Sequence, residues 1–176
     1  AAYADAWLSP GSPLESDALT VSPYLGFGSL EPAFNHVREH GKGLFVLAAT
    51  SNPEARSVQT AKREDGRSLA QAMVDDALAF DSPLDTHVNS IGVVLGATLN
   101  LADFDIDTAA APATPALPVL APGFGAQGAR IEDAKAIFGG RGWALVANES
   151  RGILSGGAKG LAERIRTRSD VLAEAL

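Results

Sequence analysis

At 176 residues with 46% hydrophobic content and a mean hydropathy of +0.07, the chain suits one globular domain, 1–176, able to bury a sizeable core. A net charge of −7, from 14 basic and 21 acidic residues, argues against non-specific nucleic-acid binding, so an anionic ligand would need a local positive site. With no cysteine the chain can have no disulfide, thiolate metal site or cysteine nucleophile, which fits a cytoplasmic protein, and no apolar run reaches the roughly 18 residues of a membrane span.

The first segment, 1–8, reads as a helix with no strand before it. It has neither the basic start nor the long apolar stretch of a signal peptide. It also lacks an initiator methionine, which raises the expectation of a missing upstream piece. Residues 18–22 form a short strand candidate and 30–40 a helix. A stronger strand covers 43–49. A helix follows over 68–80, with Leu69, Met73, Ala77 and Phe80 at three- and four-residue spacing. Residues 91–95 read as a third strand, 101–111 as a helix, 118–120 as a fourth strand and 131–138 as its helix. A fifth strand at 143–147 and a last helix over 156–176 complete the pattern. The Ala- and Pro-rich stretch 109–118 reads as a helix end and loop, because the strand–helix pattern resumes directly after it.

The strands are continuously apolar rather than alternating, which predicts burial on both faces of a parallel sheet covered by helices. Five right-handed βαβ units are expected. They could make a small open sheet or the last five-eighths of a barrel.

Three segments after strands carry candidate chemistry. The run Leu120-Ala121-Pro122-Gly123-Phe124-Gly125-Ala126-Gln127-Gly128 has three glycines that free the backbone to wrap an anion at a following helix N-terminus, and Gln127 offers an amide. It could also be a plain glycine-rich loop. In Asn148-Glu149-Ser150-Arg151-Gly152, backbone N–H groups at Ser150 to Gly152 can point at a phosphate and Arg151 can clamp it bidentately. A lone Arg paired with a surface acid is the alternative. In barrels of eight βα units the loops after the last two strands often form a phosphate site, and here those two loops carry both segments. The third, Thr50-Ser51-Asn52-Pro53, places Ser51 and Asn52 where barrel active sites lie, or where they would cap the next helix.

In this order the segments resemble orotidine 5′-phosphate decarboxylase, in its bacterial long-form branch. The residues behind the resemblance are 21–26, 45–53, 93–98, 121–128 and 148–154. The resemblance implies an α/β fold, a (β/α)8 TIM barrel of which this chain supplies about the last five βα units. It implies conversion of orotidine 5′-monophosphate to uridine 5′-monophosphate and carbon dioxide, with no metal or organic cofactor, in a homodimer. Ser51 looks like the serine that hydrogen-bonds the pyrimidine. Pro122 lies where the family opens its phosphate-gripping loop, Gln127 looks like the glutamine bridging that loop to the phosphate, and Arg151 looks like the phosphate-binding arginine, with Ser150 and Gly152 offering N–H groups.

One departure matters. The family's chemistry rests on a D-x-K-x-x-D motif whose lysine protonates the C6 carbanion, and no such motif occurs here. Asp133-Ala134-Lys135 mimics its first half, but position 138 is Phe and the segment reads as surface helix. The catalytic Asp and Lys residues are therefore expected upstream of Ala1, on roughly 90–100 residues carrying three strands. His36, His40 and His87 share no ligand spacing, Asp103, Asp105 and Asp107 read as helix-end acids rather than a cation loop, and 62–67 reads as a solvated mixed-charge turn. Rival readings are another phosphate-binding barrel acting on a sugar phosphate and a non-catalytic nucleotide-binding barrel remnant. A pyrimidine-reading Ser51 would have no role in the first, and the missing motif favours the second.

Overall fold

Five apolar segments pair side by side in the order of the chain: β1 (Ala18–Val21), β2 (Gly43–Ala49), β3 (Ile91–Leu95), β4 (Pro118–Pro122) and β5 (Ala144–Asn148). This computed structural model describes residues 2–80 and 87–176. All four pairings are parallel, and β2 and β3 keep register from Leu44↔Ile91 to Leu47↔Val94. Parallel strands in sequential order need every right-handed crossover on the same side of the sheet. That is the winding of consecutive units of a (β/α)8 barrel. A doubly wound sheet instead reverses its order at a switch point.

The two faces of the sheet differ. Leu44, Val46, Ile91, Val93, Leu95, Val119 and Ala121 lie on the helix-covered face and are at most 1% exposed. The opposite face carries Phe45, Leu47, Gly92, Val94, Leu120 and Val146. Phe45, Leu47 and Leu120 are only half-buried there, and Val146 is 47% exposed. Burial on both faces therefore holds for β3 but not for β2 or β5, although all three sequences are equally apolar. Apolar sequence records that a face must be covered; among the described residues nothing covers this one fully. Gly92 is required on that face, since a Cβ there would stand 2.4 Å from the Pro118 carbonyl oxygen.

The helices match expectation where local signals are strong. Helix α1 (Ala2–Leu8) buries Ala4 and Leu8; Ala1 lies outside the described residues. Helix α2 (Glu31–His40) starts with Pro32 in its first turn and closes on Gly41 at φ 64°. Between β2 and β3, α3 (Pro53–Gln59) is an additional helix that apolar periodicity did not reveal, because it has no buried residue. Helix α4 (Leu69–Leu78) is capped by Ser68, whose hydroxyl accepts from the Gln71 N–H at 2.9 Å.

Three expectations need correction. Residues 101–111 make only a 3-10 turn, Leu101–Phe104. Asp105 leaves helical space at φ 59°, and the Asp107 carboxylate accepts from the Ala109 N–H, so both acids stop the helix. The 131–138 helix is a 3-10 turn (Ile131–Asp133) followed by a short α5 (Ala134–Phe138). The last helix, expected over 156–176, begins only at α7 (Leu161–Ala175), after the glycines 156, 157 and 160, and a separate short helix, α6 (Ser150–Leu154), precedes them.

The mixed-charge turn is not simply solvated. Lys62 pairs with Asp105, Arg67 reaches Asp65 and Asp75 at 2.6 Å each, and Arg56 reaches Asp103 at 3.0 Å. Asp105 also accepts from the Ser68 N–H at 3.0 Å, while the Ser68 hydroxyl donates to the Phe104 carbonyl at 2.6 Å. The start of α4 is thus tied to the turn after β3. The Lys62 ammonium, with help from the Ser68 N–H, holds the Asp105 carboxyl below the ordinary carboxylate range.

A lowered folded pKa means that this stabilisation is complete above about pH 4 and is lost as pH falls through the lowered value. Asp105→Asn should lower the urea midpoint at pH 7, and the difference from the parent should shrink as pH falls below about 4; a constant difference would exclude the charge as its source. Phe138 is fully buried and pins α5 to the core. Phe138→Ala should cost about 3–5 kcal/mol in chemical denaturation.

Candidate binding rim at the C-terminal strand ends

Parallel pairing puts the C-terminal ends of all five strands, and the loops leaving them, along one rim. Neighbouring loops are stitched by backbone bonds. The Gly96 N–H donates to the Ala49 carbonyl at 2.9 Å and the Ala97 N–H to the Pro122 carbonyl at 2.8 Å. A Cβ at Gly123 would meet the Thr98 methyl at 3.3 Å. The loops after β2, β3 and β4 are therefore in contact in sequence, with Ser51 at one end of the row and the glycine-rich loop further along.

The glycine-rich loop is a closed structure. Gly123, Gly125 and Gly128 have φ of 122°, 67° and 112°, a backbone that residues with a side chain rarely adopt. The Gly125 N–H donates to the Ala129 carbonyl at 2.8 Å, and the Ala129 N–H to the Gly123 carbonyl at 3.2 Å. Phe124 is 3% exposed and packs on Phe138 with ring centroids 6.3 Å apart, so the loop is anchored from below. The exposed stretch 125–128 faces solvent above that anchor, and the Gln127 amide has no hydrogen-bond partner among the described residues. The expected helix N-terminus is not there. A 3-10 turn, Gly125–Gln127, occupies the loop, and α5 begins only at Ala134 and runs five residues. The positive end of a helix dipole is therefore not what this loop offers an anion.

The segment after β5 stands beside it. Asn148 ends the strand, paired with Pro122 of β4, and α6 starts at once. Between the two segments lies the Glu149 carboxyl group. A Cβ added at Gly125 would sit 2.5 Å from its Oε1, and one at Gly152 would sit 2.2 Å from the same atom. The side chain is 9% exposed, and its Oε2 accepts from Arg168 Nε of α7 at 2.7 Å. Arg151 is exposed in the first turn of α6, and its guanidinium has no ion pair or hydrogen bond among the described residues. It is not an arginine consumed by a surface acid. Ser150 and Gly152 are exposed, and the Ser150 hydroxyl lies 3.4 Å from Asn148 Oδ1. Pro122, half-buried at the end of β4, lends its carbonyl to the loop stitching.

At the other end of the row, Ser51 is exposed and its hydroxyl bonds to nothing among the described residues. Asn52 holds the N-cap position of α3 without a side-chain cap bond. Pro53, next in the chain, has no N–H that needs one. Neither side chain is used as a cap. Next to them is a cleft of about 360 Å³, lined by Ser22, Tyr24, Thr50, Asn52, Gln59 and Met73. Its polar wall is held by Gln59, which accepts from the Thr50 N–H at 2.9 Å and donates to the Thr50 hydroxyl at 3.1 Å. Asp133 and Lys135 are exposed on the turn and short helix that follow the glycine-rich loop. No cluster of three His, Cys, Asp or Glu side chains among the described residues could hold a metal, and no helix among them is long and apolar enough to cross a membrane.

Residues 3–160 match the sequence profile of the orotidine 5′-phosphate decarboxylase / HUMPS family. A Corynebacterium efficiens orotidine 5′-phosphate decarboxylase is 48% identical over 161 residues, covering 89% of this chain and 54% of the relative. The Streptomyces coelicolor enzyme of the same name is 47% identical over 171 residues, covering 97% of this chain and 58% of its own length. The chain thus spans a little over half the length of these relatives. A Streptomyces avermitilis crystal structure assigned to orotidine 5′-phosphate decarboxylase superposes with a TM-score of 0.87 at 45% identity, over 99% of this chain and 59% of that one. A Leishmania donovani orotidine monophosphate decarboxylase superposes with a TM-score of 0.67 at 27% identity, over 98% of this chain and 61% of that one.

Proposed function

The chain belongs to the orotidine 5′-phosphate decarboxylase / HUMPS family, and from that premise we propose that it forms the binding half of a carbon–carbon lyase. The reaction is decarboxylation of orotidine 5′-monophosphate to uridine 5′-monophosphate, a step of pyrimidine biosynthesis. The observation that carries the reading is the juxtaposition of the glycine-rich loop with the segment 150–152 across the largely covered Glu149 carboxylate, leaving the Gln127 amide and the Arg151 guanidinium both unengaged.

In this reading Arg151 clamps the phosphate, Gln127 reaches it from the loop opened by Pro122, and N–H groups of Ser150 and Gly152 complete the contact. Ser51, several loops along the same rim, hydrogen-bonds the pyrimidine. The two grips hold opposite ends of a nucleotide and leave the pyrimidine ring over the half-open face of the sheet. Binding energy gathered at the phosphate, away from the reacting carbon, can then hold the ring in a reactive, water-excluded pose. The proton donor and the carboxylates around it belong to the part of the barrel that this chain does not span. The partly open face of Phe45, Leu47 and Val146 and the outer edges of β1 and β5, unpaired among the described residues, are where those units would close the sheet. A homodimer completes the reading as a family implication.

The test uses the protein assembled with the remaining barrel units, following loss of orotidine 5′-monophosphate. Arg151→Ala should lower kcat/KM by about 3 kcal/mol or more, roughly a hundredfold. An unchanged kcat/KM removes Arg151 from the site. Ser51→Ala should weaken uridine 5′-monophosphate by about 3- to 10-fold, the size of one net hydrogen bond, and leave ribose 5-phosphate unaffected. Equal weakening of both would favour a sugar-phosphate substrate over a pyrimidine nucleotide.

A further inference from the structure

Helix α6, which carries Arg151 and Gly152, has five residues, far fewer than a helix needs to hold itself. Two arginines one turn apart on α7 hold it from outside. Arg168 bonds the Glu149 carboxylate at the start of α6. Arg164 donates through Nε to the Ile153 carbonyl, near the end of α6, at 2.7 Å, and through Nη1 to the Lys159 carbonyl at 2.8 Å. Its other nitrogen reaches the Gly157 carbonyl. The spacing of four residues puts both guanidinium groups on one face of α7.

The position of Glu149 gives this clamp a second task. Its Oε1 lies against the backbone of both Gly125 and Gly152, the two segments of the grip, and makes no hydrogen bond among the described residues. A negative charge there opposes any phosphate brought to Gln127 and Arg151. Arg168 stands on the other oxygen, 27% exposed, and reaches Glu132 at 3.8 Å as well. We propose that Arg168 is a positioning residue for anion binding: it cancels the Glu149 charge beneath the grip and, with Arg164, sets the α6 turn from which Arg151 projects. The inference rests on the phosphate reading of this rim. It assigns the C-terminal helix, which touches no part of the proposed ligand, a share in its affinity.

The charge argument makes the two partners of one ion pair unequal. Removing Arg168 leaves Glu149 uncompensated beside the phosphate, whereas removing the charge of Glu149 leaves nothing to compensate. The experiment measures uridine 5′-monophosphate and uridine by calorimetry on the protein assembled with the remaining barrel units, with thermal melting as a check of folding. Arg168→Gln should weaken the monophosphate by about 10- to 100-fold, as for an unpaired buried charge, and leave uridine within about twofold. Glu149→Gln should bind the monophosphate as well as the parent or better. The double variant Arg168→Gln/Glu149→Gln should recover most of what Arg168→Gln loses. Equal losses from the two single variants, no recovery in the double variant, or parallel loss of uridine would each overturn the inference and leave the pair a plain structural one. If the unaltered protein binds monophosphate no better than uridine, the phosphate reading itself fails, independently of the variants.

Discussion

Five parallel strands paired in the order of the chain leave no choice about where their loops go: every C-terminal strand end meets on one rim. The hydrogen bonds from Gly96 to Ala49 and from Ala97 to Pro122 continue the sheet's pairing past its formal end, so the first residues of the loops are as fixed as the strands. Gly92 allows β3 and β4 to approach at all, because any side chain there would strike the Pro118 carbonyl. The spacing of the candidate groups along the rim follows from that pairing rather than from attraction between them.

At the end of the row the constraint is electrostatic. Glu149 has its carboxyl group almost out of solvent between two glycines, a position that removes much of its hydration. Arg168 offsets that cost from a helix further along the chain. Both glycines are then explained by one atom: a side chain at Gly125 or Gly152 would force the carboxylate away from Arg168. The short α6 and the loop 123–129 have little regular structure of their own, and they acquire definite positions from Phe124 on Phe138 below and from Arg164 and Arg168 beside them.

The sheet's second face shows the same economy at a larger scale. Val94 is buried, yet its neighbours across the strands, Leu47 and Leu120, are half-open, and Val146 is nearly half exposed. In the related structure of which this chain covers 59%, with 45% identity in the superposed part, the same five units sit within a longer chain. Apolar residues on the open face of this sheet are suited to further strands, and the proposed ligand would lie over their edge.

What the sequence by itself determined were the features that depend on near neighbours. Apolar runs marked the five strands, three- and four-residue spacing of Leu69, Met73 and Ala77 marked a helix, and the glycines of 123–128 marked a loop with a freed backbone, because each is decided within a few residues of chain. Residues 101–111 had apolar spacing enough for a helix, but Asp105 is drawn to Lys62 and Ser68, some 40 residues away in sequence, and the helix stops. Only the tertiary structure decided that Arg151 is unpaired while Arg168 is not, and that Glu149 stands between the two glycine segments. Nothing in the spacing 149 to 168 signals an ion pair, since a contact between a strand end and a distant helix is set by how the sheet curves and the helices pack, and no local period carries that information.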